Sequence, residues 1–126
     1  MSLLNTVKTV AGKRVLDTSW DFRNQNTKFN THGFHTYPAM MIPQIARRLI
    51  EIYGAGAKTV LDPFVGSGTV LVECKVNNNI KTAFGVDLNP LALLISKAKT
   101  TTIKPSILMD THKSILENCS RDLVKY

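Results

Sequence analysis

Between Thr59 and Val72 the chain reads Thr-Val-Leu-Asp-Pro-Phe-Val-Gly-Ser-Gly-Thr-Val-Leu-Val, two apolar runs joined by an acid, a proline and two glycines. This is the pattern of strand, ligand loop and helix. Thr59, Val60 and Leu61 predict a short buried strand, Asp62 and Pro63 end it, and Gly66 and Gly68 let the backbone come close to a bound group. A nucleoside triphosphate loop would need G-x-x-x-x-G-K-[ST], yet Gly68 is followed by Thr69 with no lysine nearby. A dinucleotide fingerprint would need glycine or alanine three residues after Gly68, where Leu71 stands. Neither phosphate loop fits. About 20 residues beyond the glycines, Asp87 closes a second apolar run, Ala83-Phe84-Gly85-Val86, where a carboxylate can accept bonds from both hydroxyls of a ribose. The ligand implied carries a ribose and need not carry a phosphate.

Taken together, Asp62-Pro63-Phe64-Val65-Gly66-Ser67-Gly68-Thr69 and Gly85-Val86-Asp87-Leu88-Asn89-Pro90-Leu91-Ala92 resemble the first two motifs of S-adenosylmethionine-dependent amino-methyltransferases. Those enzymes methylate the exocyclic nitrogen of adenine or cytosine in DNA. Upstream, His32-Gly33-Phe34-His35-Thr36-Tyr37-Pro38-Ala39-Met40-Met41-Ile42-Pro43 looks like the family's other cofactor motif. Three elements in order, over roughly Thr31 to Thr102, are far more specific than a single glycine loop.

The resemblance implies an α/β fold, the first βαβα portion of a Rossmann-like methyltransferase sheet, and S-adenosylmethionine as cofactor. It places His35, Thr36, Tyr37, Pro38 and Ala39 along the methionine end. Met40 departs from the lysine that the family often has there. Backbone groups around Phe64, Gly66 and Gly68, with Pro63, Ser67 and Thr69 in the same loop, are implied to face the amino acid and ribose. Asp62 has two compatible roles, a bond to the ligand's ammonium or to the loop's own amides. Asp87 is implied to hold the ribose diol and Leu88 to lie against adenine, while Asn89 is placed to cap the helix that starts at Pro90.

The positioning elements follow from periodicity. Ile42, Ile45, Ala46, Leu49 and Ile50 share one face of a helix that opens at Pro43 and stops at Gly54, with Arg47 and Arg48 off the apolar stripe and read as solvated. Val70 to Val76 predicts the helix after the loop, with Glu73 in an early turn. Leu91, Leu94, Ile95 and Ala98 predict the buried stripe of the next helix, with Lys97 and Lys99 outside it. After Pro105, the positions Leu108, His112, Ile115, Leu116 and Cys119 suggest a last amphipathic helix, packed on the outside or on a partner. Asp110 is not preceded by a strand-like run and is not read as a further cofactor acid. Residues 1–30 show no sustained period; there Trp20 and Phe22 are read as covering the edge of the core rather than as a base-stacking pair. The expected organisation is an extension over 1–30, a cofactor-binding core over 31–102 and a C-terminal helix over 103–126.

At 126 residues the chain is at most one domain. Its 44% hydrophobic and 20% charged content is that of a soluble globular chain, and it has no apolar run near a membrane span. Sixteen basic residues against 9 acidic give a net charge of +7; residues 1–60 carry 8 basic and 3 acidic side chains, so the excess lies mostly upstream of the loop. That balance permits a polyanionic partner, here DNA. Neither Cys74 and Cys119 nor the histidines fall at metal-ligand spacing, and the cysteines read as reduced thiols of a cytoplasmic protein.

Amino-methyltransferases hold the target nitrogen with a tetrapeptide S/N/D-P-P-Y/F/W, and none of the five prolines, Pro38, Pro43, Pro63, Pro90 and Pro105, has a proline neighbour. A sheet of two parallel strands also leaves an edge that needs covering. The expectation is therefore a cofactor-binding part of a longer or split enzyme, with a second polypeptide, a downstream segment or self-association completing it. Two other readings stay open: part of an RNA methyltransferase of the tRNA guanine-N2 type, which shares the D-P-x-x-G-S-G-T loop, and a non-catalytic regulatory or scaffolding subunit.

Overall fold

The computed structural model describes residues 7–10 and 13–123; residues 1–6 of the expected extension lie outside them. The chain is α/β. An antiparallel hairpin, β1 (Val7–Val10) and β2 (Lys13–Leu16), comes first, with Val7 opposite Leu16. A helix α1 (Pro43–Tyr53) then precedes strand β3 (Thr59–Asp62), helix α2 (Thr69–Val76), strand β4 (Thr82–Gly85), helix α3 (Pro90–Thr100) and helix α4 (Pro105–Leu123). Strands β3 and β4 pair in parallel, with Leu61 opposite Phe84 and Asp62 opposite Gly85. A parallel pair needs a crossover, which α2 supplies.

Helix α1 forms as its period predicts. Pro43 occupies its first turn, and the Gly54 amide closes it on the Ile50 carbonyl at 2.8 Å. Helix α2 packs on α1 and α3 and touches both strands of the parallel sheet, so the core lies around α2. Ala46, Val65, Val72, Cys74, Ala92 and Ile95 are its buried apolar residues. The opposite sheet face stays open: Leu61 is 63% and Phe84 56% exposed. Every residue from Thr101 to Arg121 is exposed as well, so the stripe of α4 meets no core.

Two expectations need correction. Helix α3 buries Ala92, Ile95, Ser96 and Lys99, while Leu91, Leu94 and Ala98 are exposed. Both sets have helical spacing, but only the small residues allow α3 to approach the glycine loop. Finally, Arg47 keeps the solvent exposure expected of it but is engaged as well, and Arg48 is half-buried and engaged. Arg47 bonds Glu73 and lies 4.9 Å over the Phe29 ring; Arg48 lies 4.1 Å over Trp20 and bonds Ser19. Trp20 meets Phe22 edge-on, with ring centroids 6.5 Å apart.

Candidate functional site

The loop from Asp62 to Thr69 runs from the end of β3 to the first turn of α2, and its shape is set by its own acids. Asp62 Oδ1 accepts from the Phe64 amide at 3.1 Å, so of its two roles the structure shows the bond to the loop. Asp87, just past β4, accepts from the Gly66 amide through Oδ2 at 2.8 Å and from the Asn89 amide through Oδ1 at 2.9 Å. The amides of Asn89 and, next, Gly66 hold the Asp87 carboxyl below the usual carboxylate range, because they stabilise its charged form. Each oxygen keeps a further lone-pair site.

The two glycines have different jobs. Gly66 has φ +48°, and a Cβ there would meet no atom within 4 Å, so its backbone faces open space. At Gly68, φ is +85° and a Cβ would fall 2.5 Å from Ser96 Oγ and 2.9 Å from Ser96 Cα. Gly68 therefore admits α3, an internal neighbour, rather than a ligand. Ser67 is buried beside it, with the Lys99 amine 3.4 Å from its Oγ. Lys99 is only 2% exposed, and burial lowers the pKa of its amine.

The proline-containing segment reaches the same region from the other side. Asn89 caps α3 through Oδ1, which accepts from the Leu91 amide at 3.0 Å, and its Nδ2 donates to the Tyr37 hydroxyl at 2.9 Å. His35 and Thr36, with Lys28, His32, Met40, Pro43 and Thr69, line a cavity of about 180 Å³. Ala39 takes φ +55°, a left-handed conformation that costs a non-glycine residue energy and marks a tightly determined turn. Pro38 and Pro63 are exposed beside these residues. Phe64 in the glycine loop and Leu88 directly after Asp87 have their side chains almost wholly free, 87% and 100% exposed.

The structure thus brings together Gly66 with Asp87, Tyr37 with Asn89, and His35 with Thr69; it turns Ser67 and Gly68 inward. Residues 4–118 match the family model for DNA methylase. The chain belongs to the DNA methylase family. Among relatives of this DNA methylase chain, the Type II methyltransferase M.MvaI of Kocuria varians is 50% identical over 90 residues, covering 69% of this chain and 19% of that protein. The Type II methyltransferase M.MjaII of Methanocaldococcus jannaschii is 31% identical over 84 residues, covering 66% of this chain and 16% of that protein. The chain therefore spans about a fifth or less of the length of these relatives. No solved structure matches it at a significant level.

Sequence reasoning missed Glu73, a fully buried carboxylate that joins His32 and Arg47. Its signal was present, a lone acid inside the apolar run Val70 to Val76. Lys99 was missed because the bulkier stripe beside it hid the small-residue face of Ala92 and Ser96. Among the described residues no helix is long and apolar enough to cross a membrane, and no three of His, Cys, Asp and Glu gather as metal ligands.

Proposed function

We propose that the chain is the S-adenosylmethionine-binding portion of a site-specific DNA methyltransferase that modifies an exocyclic amino nitrogen of cytosine or adenine, with a Rossmann-like core over 31–102. The observation that carries this reading is the bond from the Gly66 amide to Asp87, which ties the acid after β4 to the loop after β3 across 21 residues. It leaves a charged carboxylate, a bare backbone at Gly66 and the exposed side chains of Phe64 and Leu88 in one region. Those are the groups a ribose and a flat base require.

S-adenosylmethionine, when bound, supplies a methyl group on a sulfonium sulfur, already activated for transfer to nitrogen. The chain's own residues bind and orient. Asp87 offers its remaining lone pairs to the ribose hydroxyls, Leu88 offers an apolar side chain to adenine, and the amides at the start of α2 face the loop. His35, Thr36, Tyr37, Pro38 and Ala39 close the methionine end, with Asn89 holding Tyr37. Transfer is in-line, so positioning rather than an acid or base is what this part contributes. The target nitrogen is held by an S/N/D-P-P-Y/F/W tetrapeptide on a second polypeptide or downstream segment, which also covers the open sheet, and 103–126 faces that partner.

Titration calorimetry tests the reading. The chain is expected to bind S-adenosylmethionine, Asp87→Ala to lose it, and the chain alone to transfer no methyl group to DNA. Absence of binding by the parent, or Asp87→Ala binding as well as the parent, sinks the cofactor assignment.

A further inference from the structure

Glu73 takes no part in the proposed binding chemistry, yet its side chain is 0% exposed. Its Oε1 lies 2.7 Å from His32 Nε2, and its Oε2 accepts from Arg47 Nε at 2.8 Å. The three residues come from three places: the segment before α1, α1 itself, and α2. Around them Phe29 meets the His32 ring edge-on at 5.0 Å and carries the Arg47 guanidinium on its face. A buried carboxylate is costly to desolvate and gives little net stability even when paired, so its value here lies in what it holds in place.

What it holds is the cavity. His32 lines it, on a stretch whose own regular structure is a three-residue turn, His32–Phe34. Thr69 lines it too, one helical turn before Glu73 on α2. We infer that Glu73 is a positioning residue for ligand binding, which fixes the His32 part of the cavity lining against α2, where Thr69 lies, with Arg47 bracing the carboxylate from α1. The inference rests on the proposed cofactor reading and adds to it that the amino-acid end of the cofactor is the part Glu73 controls.

The test is binding of two probes by the full chain, S-adenosylmethionine and 5′-methylthioadenosine, which lacks the amino-acid end. Glu73→Gln keeps the shape but removes the charge, so the bond from Arg47 loses its carboxylate and the His32 contact survives only with the imidazole accepting from the amide; at temperatures where it stays folded, affinity for S-adenosylmethionine is expected to fall about tenfold or more, the worth of the charge assistance lost. Affinity for methylthioadenosine is expected to stay within about twofold. His32→Gln, which retains a donor for Glu73, is expected to recover most of the binding that His32→Leu loses, and this pair carries the test if Glu73→Gln does not fold. Equal weakening of both probes, unchanged S-adenosylmethionine affinity in Glu73→Gln, or equal affinities in His32→Gln and His32→Leu would overturn the inference while leaving the cofactor reading intact. Binding of neither probe by the parent would overturn both.

Discussion

Alanine at Gly68 and alanine at Gly66 look like the same experiment, two glycines of one loop with positive φ, yet they should behave oppositely. At Gly68 the left-handed backbone costs a non-glycine residue ~1–2 kcal/mol. The added methyl would also overlap Ser96 Oγ at 2.5 Å and Ser96 Cα and Cβ at 2.9 Å. Overpacking of that kind adds ~1–3 kcal/mol, since the Cα belongs to helix α3 and cannot rotate aside. The total is about 3 kcal/mol, or roughly 10–15 °C in melting temperature for a chain of this size. At Gly66 the methyl meets nothing within 4 Å, so the backbone term stands alone and is partly offset by the lower entropy of the unfolded chain, leaving about 1 kcal/mol. Urea unfolding of both variants measures the difference. Adding Ser96→Gly to Gly68→Ala removes Oγ and Cβ but not Cα, so it should restore part of the loss and no more. Ligand affinity should run the other way, with Gly66→Ala weakened although stable. Equal destabilisation at the two glycines, or no recovery from Ser96→Gly, would refute the assignment of Gly68 to helix packing.

The Asp87 carboxyl has a lowered pKa in the folded chain, so its stabilising contribution is complete above the unfolded carboxylate pKa and lost as pH falls through the folded value; acid titration of Asp87→Asn should show a flatter stability profile than the parent below about pH 4. Burial, followed by Asp62 and Glu73, pushes the Cys74 thiol up to about 11, while Cys119 is exposed; a disulfide reagent near pH 8 should titrate one thiol rapidly in the folded chain and a second only in denaturant. Tyr37→Phe removes the hydroxyl that accepts from Asn89 and should cost under about 1 kcal/mol in stability, while cofactor affinity falls several-fold, both readable by melting with and without ligand.

Helix α1, the turn at the glycines and the Asn89 cap were legible in the sequence because each depends on local chemistry: a 3.6-residue period, a proline at a helix start, glycines between apolar runs. What was illegible depends on partners far along the chain. Nothing local shows that Arg47 reaches Glu73, 26 residues on, or that Lys99 approaches Ser67, 32 residues back. Helix α3 shows the limit most plainly. Its leucine face and its Ala92–Ser96 face have equal claim to the interior by period, and the narrow gap beside Gly68 admits only the smaller one.

Helix α4 has a thermodynamic consequence of its own. Its 19 residues form one helix, but with every residue from Thr101 to Arg121 exposed it draws little on the contacts that make α1, α2 and α3 unfold together. Isolated helices near this length are marginal in water. The chain should therefore unfold in at least two cooperative units, so that a single melting midpoint would not describe it. Circular dichroism, weighted by the turns of α4, should slope well below the transition that the fluorescence of Trp20 reports from beneath Arg48. The gap between those two curves measures how much of the last helix a binding partner would have to order.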